Sequence, residues 1–365
     1  MLTNKFKSQY LLTLADCNKT LFRHPQRTMV ERLQAIIPLA AQYTEADCYG
    51  QGELVNEFEQ QMATRLGQES ALFLPSGTMA QTMALRIWAE KKHCNKVAFH
   101  PTSHLQLHEQ NAYQALHGLD ALLVGQLDAV ICREDLNAIS TPLAALLLEL
   151  PMREIGGQLP TWDELKTQQK WAQQQGVALH LDGARLWSCT EYYQKSLAEI
   201  GSLFDSVYVS FYKDLDGIAG AVLAGSADFI SEARIWTRRL GGNLITLFPD
   251  ILAAKQGLTD NLASMSEFVT KTATIAKLFN QQVPTRTIPL TPPCNLFHLV
   301  IDQSANELMP KVMKWSQQHK IALLPLPRTV TDTSCRFEVT IGQNALKFSD
   351  QNWQKAIASF AKQIS

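Results

Sequence analysis

The sequence predicts an α/β fold with a large, mainly parallel sheet and a smaller α+β domain after it. Short apolar runs alternate with amphipathic stretches from about residue 71 to residue 225. The alternation stops near residue 256, and a chain of 365 residues is long enough to divide into two domains. We therefore expect residues 1–255 to form an N-terminal arm and a large domain, and residues 256–365 to form a small C-terminal domain.

The elements of the large domain are predicted from the length and pattern of each apolar run. Thr161 is a suitable N-cap and Glu164 can complete a capping box with it, so a helix is expected over residues 161–175. Another helix is expected directly after the first strand. The expected strands are residues 71–74, 96–99, 121–124, 146–149, 177–181, 206–210 and 221–224.

The small domain is predicted from a mixture of strand-like and helix-like segments. Its expected strands are residues 296–301, 321–324 and 336–340, and its expected helices are residues 307–319 and 349–364.

Composition and charge exclude several classes of function. Lys plus Arg is 33 and Asp plus Glu is 34, and no basic run could follow a nucleic acid. The seven cysteines are scattered and never spaced as C-x-x-C, which favours a reducing compartment over a disulfide framework or a zinc ribbon. The apolar stretch at residues 11–14 is too short for a signal peptide, and no run approaches the length of a membrane span. We expect a cytoplasmic protein.

Asp182 stands at the end of a predicted apolar strand, where open α/β sheets place groups that bind ligands. His180, two residues earlier, is expected to point to the same face. A buried carboxylate needs a cationic partner. If Arg185 is the partner of Asp182, the pair is structural. If the partner is the protonated nitrogen of a bound heterocycle, Asp182 is functional. This segment leaves both possibilities open.

Lys213 follows a second apolar strand and precedes a glycine-containing turn. Apolar surroundings disfavour a charged amine, which lowers its pKa and makes it nucleophilic. A lone lysine of this kind is usually an ordinary strand-end residue. Downstream of the buried Asp182, it indicates a pyridoxal phosphate (PLP) site, in which the lysine holds the cofactor as a Schiff base and the aspartate holds the pyridine nitrogen.

Ser76, Gly77 and Thr78 lie between the strand at residues 71–74 and the helix expected after it. The glycine permits close approach of the backbone, and the first N–H groups of a helix form an anion site. Ser and Thr are also common helix N-caps, so in isolation the segment predicts only a cap. Beside a lysine and an aspartate suited to PLP, it predicts the seat of the phosphate.

Three histidines, His100, His104 and His108, recur at four-residue spacing. The spacing suggests a metal site, but Pro101 argues against one unbroken helix and no second group of ligands is evident, so no metal is predicted. His104 is instead expected to stack on the cofactor ring. The alternative is a surface histidine at a junction between a loop and a helix.

With these segments assembled, the chain resembles the threonine aldolase and aromatic amino-acid β-eliminating lyase family, whose members have the fold type I architecture of PLP enzymes. The resemblance extends over nearly the whole chain, and the motifs match in order and spacing. The matching segments are Asp47-Cys-Tyr-Gly50, residues 55–59, residues 71–80, Glu149 with Gly156-Gly157, residues 180–186 and residues 238–242.

The resemblance implies a role for each matching residue. Lys213 and Asp182 hold the cofactor as above, and His104 stacks on the ring and is a candidate base. Arg185 lies near the cofactor hydroxyl and the substrate carboxylate, and Arg336 grips that carboxylate with its bidentate fork. The residues implied in cofactor binding are Ser76, Gly77, Thr78, His104, Asp182, Arg185, Ser210 and Lys213.

Some positions depart from the family's pattern in ways that concern the substrate. Met152 replaces a histidine that helps to recognise the substrate hydroxyl, and Arg153 beside it could supply a different polar contact. Cys17 or a neighbour corresponds to an N-terminal serine that touches the substrate. Met152, Arg153 and Cys17 are therefore candidate substrate contacts.

Other departures concern the cofactor. Asp214 and Asp216 stand where the family has glycines after the lysine. The segment at residues 241–246 lacks an arginine that contacts the phosphate in the family. The two aspartates could mark a site that has drifted from catalysis.

The activity implied is cleavage of the Cα–Cβ bond of a β-hydroxy-α-amino acid, such as threonine or allo-threonine, to glycine and an aldehyde. His104 or a bound water is the candidate base. Two alternatives stay open: a PLP-dependent β-elimination, in which Lys213 would remove the α-proton, and a PLP-binding protein without catalytic activity.

Fold type I relatives usually complete each active site with residues from a neighbouring subunit. We therefore expect a homodimer or a homotetramer, with Tyr49 and the loop around Gly241 at the interface. A small amino acid is the other expected partner, and neither nucleic acid nor a membrane is expected.

Overall fold

The computed structural model describes residues 4–282 and 284–365, and each predicted apolar run contains a strand. The predicted strands and helices are present, with ends that differ by no more than two residues. The strands are β1 (Lys19–Thr20), β2 (Ser70–Leu74), β3 (Lys96–Phe99), β4 (Asp120–Leu123), β5 (Ala145–Glu149), β6 (Ala178–Gly183), β7 (Ser206–Ser210), β8 (Ala221–Gly225), β9 (Thr285–Ile288), β10 (Leu296–Ile301), β11 (Ile321–Ala322), β12 (Thr329–Val330) and β13 (Cys335–Thr340).

Many helices begin at a side-chain cap that the sequence supplies. At Thr161 the predicted capping box is present, with reciprocal hydrogen bonds to Glu164. The helices are α1 (Asn4–Ala15), α2 (Met29–Ala40), α3 (Glu53–Arg65), α4 (Gly77–Lys92), α5 (His104–His108), α6 (Ala112–Ala115), α7 (Arg133–Asn137), α8 (Trp162–Gln175), α9 (Thr190–Tyr193), α10 (Leu197–Gly201), α11 (Ala227–Arg239), α12 (Phe248–Asn261), α13 (Met265–Asn280), α14 (Ala305–His319), α15 (Gln343–Leu346) and α16 (Asp350–Ile364).

Within the described residues, one sheet has seven strands in the order β2-β8-β7-β6-β5-β3-β4. The five strands from β3 to β7 run parallel to one another, whereas β8 is antiparallel to both β7 and β2. Strand β2 therefore runs in the same direction as the parallel strands, and the carboxyl ends of six strands meet at one edge. The prediction of a mainly parallel sheet is confirmed.

The central strands are buried along their length, as expected for a sheet that is covered on both faces. Helices α4 and α11 pack against β2, β7 and β8 through a cluster of apolar side chains. The ring of Trp88 on α4 stacks on that of Phe229 on α11 at 5.0 Å between centroids. This packing fixes the start of α4 at the edge of the sheet where β2 ends.

The chain divides into two compact units. One unit contains residues 27–154 and 159–263, and the other contains the chain up to Gln26, Ile155–Gln158 and Ser264–Ser365. The predicted boundary after residue 255 lies inside α12, and the N-terminal arm, which was predicted with the large domain, groups with the C-terminal segment. The reason is pairing at long range, since β1 runs parallel to β11.

The second unit contains an antiparallel sheet in the order β12-β13-β10-β9. Strand β10 is buried at every position and pairs with β13 over its whole length. Tyr10 on α1 donates a hydrogen bond to the carbonyl of Leu324 at 2.6 Å, which anchors the arm to this unit. Among the described residues, no helix combines the length and the apolar character that crossing a membrane requires.

Candidate active site

The polar residues selected from the sequence gather at the carboxyl edge of the large sheet. Asp182 near the end of β6 lies beside Glu149 of β5 on one side and Tyr208 of β7 on the other. Parallel strands that end at one edge bring these side chains together although they are far apart in sequence.

The loops that follow β2 and β7 leave the sheet at the same edge. Leu74 at the end of β2 and Ser210 at the end of β7 are both paired with Ala221 of β8. The segment from Ser76 to Thr78 and the residue Lys213 therefore emerge from the same edge as Asp182.

Lys213 is half-buried, and its amine lies among four charged groups. Burial is the largest influence on the pKa of the amine and lowers it, whereas Asp182 and Glu149 act in the opposite direction. The guanidinium groups of Arg185 and Arg153 lower it further. The amine of Lys213 therefore becomes neutral and nucleophilic at a lower pH than that of a free lysine.

Asp182 is 2% exposed, and one of its carboxylate oxygens accepts a hydrogen bond from the backbone N–H of Ala184 at 3.1 Å. Its charge raises the pKa of Lys213 and contributes to the raised pKa of Glu149. The carboxylate is thus buried, oriented from its own loop and electrostatically coupled to the lysine.

His180 is fully buried and belongs to the core. Its Nδ1 lies 2.8 Å from the hydroxyl of Ser206, and its Nε2 lies 2.8 Å from the side-chain oxygen of Gln81. Burial lowers the pKa of the imidazole to about 3, so the ring is neutral. The residue ties β6 to β7 and α4.

Arg185 forms an ion pair with Asp214, with 2.6 Å between Nη1 and Oδ1. The side chains are 13% and 0% exposed, respectively. The sequence had left open whether Arg185 is a structural partner of Asp182, and this ion pair joins it to Asp214.

The start of α4 has the features of an anion seat. Ser76 caps the helix by accepting a hydrogen bond from the N–H of Met79 at 3.4 Å. Gly77 packs so closely on the hydroxyl of Tyr208 that a Cβ there would collide with it, which explains the glycine. Thr78 is exposed, so its hydroxyl and the N–H groups of the first turn can reach a ligand.

Two tyrosines at this edge were missed by the sequence analysis. Burial raises the pKa of both Tyr208 and Tyr212. Ser210 is buried and donates a hydrogen bond to the carbonyl of Ala184 at 2.9 Å. The two-residue period that places Ser206, Tyr208 and Ser210 on one face of β7 was the available signal.

His104 is tied to the same cluster by a buried glutamate that the sequence did not reveal. Its Nδ1 lies 2.8 Å from Oε1 of Glu109, whose side chain is 1% exposed. Burial raises the pKa of Glu109, and the charges of Asp182 and Lys213 also act on it. Glu109 therefore orients the imidazole of His104 and interacts electrostatically with Asp182 and Lys213.

The other two histidines have separate partners. His108 lies one turn after His104, with Nε2 at 2.7 Å from Oε1 of Glu154. His100 precedes the helix, and its Nε2 lies 2.6 Å from the carbonyl of Gln126. Over residues 4–282 and 284–365, no three side chains of the metal-ligating types are grouped as a metal site.

Glu149 is a further titratable group that the sequence analysis quoted only as part of a motif. Burial and, secondarily, Asp182 raise the pKa of Glu149 to about 8, and the N–H of Arg153 donates to its Oε1 at 3.0 Å. Glu149 is therefore protonated more readily than an exposed glutamate. Met152 is buried and lines a small cavity together with Glu149 and His100.

Two of the predicted substrate contacts lie in the other unit. Arg336 is half-buried on β13, opposite Val300 of β10. The thiol of Cys17 donates to the carbonyl of Thr13 at 3.2 Å, and burial raises its pKa. Their proposed contacts with a substrate stay predictions.

The groups at this edge fit PLP. A half-buried amine with a lowered pKa suits a bond to the cofactor carbonyl, and a buried carboxylate suits a protonated ring nitrogen. The closely packed Gly77 at the start of a sixteen-residue helix suits a phosphate.

Comparison with known proteins gives a family and several relatives. The family model for β-eliminating lyases matches residues 25–303. Aldolase vrtJ of Penicillium aethiopicum is 30% identical over 220 residues, which cover 58% of this chain and 56% of that protein. The chain thus spans little more than half the length of this relative. Low-specificity L-threonine aldolase 1 of Arabidopsis thaliana is 25% identical over 292 residues, covering 76% and 80% of the two chains.

A solved structure is similar over almost the whole chain. It is that of a putative L-allo-threonine aldolase from Listeria monocytogenes, with a TM-score of 0.95 and 38% identity. The match covers 98% of this chain and 99% of the Listeria chain.

Proposed function

The chain belongs to the β-eliminating lyase family, and we propose that it cleaves the Cα–Cβ bond of a β-hydroxy-α-amino acid to give glycine and an aldehyde. The predicted fold type I architecture is confirmed by its sheet and its structural relatives. One observation carries the proposal: the buried Asp182 and the low-pKa amine of Lys213 meet in a chain that closely matches a putative L-allo-threonine aldolase.

Pyridoxal phosphate is the cofactor of this reaction. When bound, it supplies an electron-accepting ring for the electron pair that is left on Cα of the substrate. In this proposal Lys213 is its covalent attachment point, and Asp182 holds the proton on the ring nitrogen. The first turn of α4, at Gly77, receives the phosphate.

The substrate carboxylate is proposed to bind to arginines. Arg336 suits this task because a guanidinium can donate two parallel hydrogen bonds to a carboxylate. Arg185 is held beside Lys213 and is proposed to lie near the cofactor hydroxyl and the same carboxylate. Arg153 and Cys17 are proposed to make additional contacts with the substrate.

Cleavage requires a base for the proton of the β-hydroxyl, and His104 is the proposed base. Its Nδ1 is engaged by Glu109, so Nε2 is the atom that would accept the proton. As that proton leaves, the oxygen forms the aldehyde C=O bond and the Cα–Cβ bond breaks. Glu109 stabilises the charged imidazole and keeps its orientation.

A second candidate is β-elimination, which the environment of Met152 favours. This position is buried and apolar, so the loop after β5 brings no imidazole to a substrate hydroxyl. The reaction would then start with removal of the α-proton by Lys213, and the β-substituent would leave.

Product analysis with L-threonine and L-allo-threonine distinguishes the two reactions. For the PLP-loaded protein we expect glycine and acetaldehyde in equal amounts, with none from 2-aminobutyrate, which lacks the hydroxyl group. Formation of 2-oxobutyrate and ammonia from threonine would establish elimination instead. The absence of any product from both stereoisomers would refute a threonine-like substrate.

We propose that a second copy of the chain covers an exposed apolar face of α2. Met29, Leu33 and Ile37 recur at four-residue spacing on this helix and are 84%, 54% and 61% exposed. Tyr49, a predicted interface residue, is 54% exposed, and its N–H donates to the carbonyl of Ile245 in the segment after Gly241. Apolar faces of this kind are typical of protein interfaces.

Light scattering tests this interface. We expect a mass that is a multiple of the 40.8 kDa chain for the wild type and a shift towards the single chain for Leu33→Glu. The matched control is Leu127→Glu, which also replaces an exposed leucine, outside α2. A wild-type mass of one chain would contradict the proposal.

A further inference from the structure

Asp214 directly follows Lys213 and is buried in the loop after β7. Its carboxylate forms an ion pair with Arg185, which belongs to the loop after β6. The loop after β7 also carries Lys213, and the loop with Arg185 directly follows the strand that carries Asp182. The ion pair therefore connects the segments that position the lysine and the aspartate.

The positive charge of Arg185 affects the pKa of Lys213. Its guanidinium and that of Arg153 both lower the pKa of the lysine, in opposition to Asp182 and Glu149. Because burial raises the pKa of Glu149, this glutamate offsets the two guanidinium charges less than an exposed carboxylate would. The two guanidinium groups therefore depend on further carboxylates for their counter-charges.

Each guanidinium has a carboxylate of its own. Arg153 lies 3.7 Å from Glu154, and Arg185 lies 2.6 Å from Asp214. The Asp214 side chain is fully buried, so little solvent screens this pair. An aspartate that departs from the family's glycine thus has a defined electrostatic partner.

We propose that Asp214 is a positioning residue for Arg185, which it anchors between the two loops while offsetting the guanidinium charge beside Lys213. The inference rests on the proposed attachment of PLP to Lys213, and it holds for either cleavage or elimination. This role gives Asp214 a function in an active enzyme, so the aspartate need not mark a site that has lost catalysis.

The test is a pH titration of the absorbance of the lysine-bound cofactor in holoenzyme variants. In Asp214→Asn the guanidinium loses its counter-charge, which disfavours the protonated nitrogen at Lys213. The titration midpoint is expected to fall by about one pH unit relative to the wild type. Asp214→Glu retains the charge and is expected to restore most of the shift. KM is expected to rise more than kcat falls, because Arg185 is no longer held.

The matched control is Asp216→Asn in the same loop. Asp216 pairs with Arg32 at 2.8 Å, and its φ of 58° is tolerated by asparagine. Its midpoint is expected to equal that of the wild type. The other titratable groups that act on Lys213 and its surroundings are unchanged in all variants: Glu109, Glu149, Asp182 and Tyr212.

If Asp214→Asn does not fold, a second neutral variant tests the inference. Asp214→Gly introduces the residue that the family has at this position and is expected to show the same downward shift. A folded, cofactor-loaded neutral variant with the wild-type midpoint would overturn the inference, even if its melting temperature fell. Loss of the absorbance signal in Lys213→Ala tests the attachment site separately. A wrong attachment site can therefore be distinguished from a wrong role for Asp214.

Discussion

Replacement of Lys213 by alanine is expected to abolish turnover, with kcat reduced on the order of a thousandfold or more. The side chain provides the amine whose pKa is lowered by its surroundings. The variant is also expected to lose the visible absorbance of covalently bound cofactor. Both losses follow from removal of the same nitrogen.

The control for this prediction is Lys166→Ala. Lys166 lies on α8, is 50% exposed and pairs with Asp163 on the surface. Its loss should leave both kcat and the absorbance within about twofold of the wild type, since exposed ion pairs contribute little. Near-normal activity of Lys213→Ala would show that another residue carries the cofactor.

The parts of the site that could be predicted from sequence are those fixed by local pattern. Asp182 and Lys213 each follow an apolar run, and in a parallel sheet such runs end at the same edge. Ser76 is a cap and Gly77 begins the helix, as the transition from strand to helix indicates. These inferences needed only the order of strands and helices along the chain.

The parts that could not be predicted depend on neighbours that are distant in sequence. The pKa of Glu149 is raised first by burial and second by Asp182, and the two residues are neighbours only because β5 pairs with β6. The partner of Asp214 is 29 residues away. Without that partner, the aspartate looked like a sign of a lost activity.

Long-range pairing also explains the grouping of the N-terminal arm. Helix α1 was not predicted from the sequence, and its own residues do not identify the surface on which it packs. That surface is set by the parallel pairing of β1 with β11 and by the hydrogen bond from Tyr10 to Leu324. Local periodicity contains no information about either contact.

The Asp182→Asn variant is expected to retain its fold while kcat falls on the order of a hundredfold or more. Asparagine has nearly the same shape, and its side-chain oxygen can still accept the hydrogen bond from Ala184. What it lacks is the negative charge, which raises the pKa of Lys213 and is proposed to hold the proton on the cofactor nitrogen. The pKa of Lys213 should therefore fall further in the variant.

Measurement of kcat, cofactor affinity and melting temperature on Asp182→Asn separates the two roles that the sequence left open. If the carboxylate served mainly to neutralise a buried cation, its loss would leave that cation unpaired, and stability would fall by about 3–5 kcal/mol. If it serves the cofactor, the apoprotein should melt close to the wild type, because removing a buried charge also removes its desolvation cost. The holoenzyme would nevertheless bind PLP more weakly and turn over slowly. Activity within about tenfold of the wild type would exclude the functional role, since a neutral amide does not hold the ring nitrogen protonated as a carboxylate does.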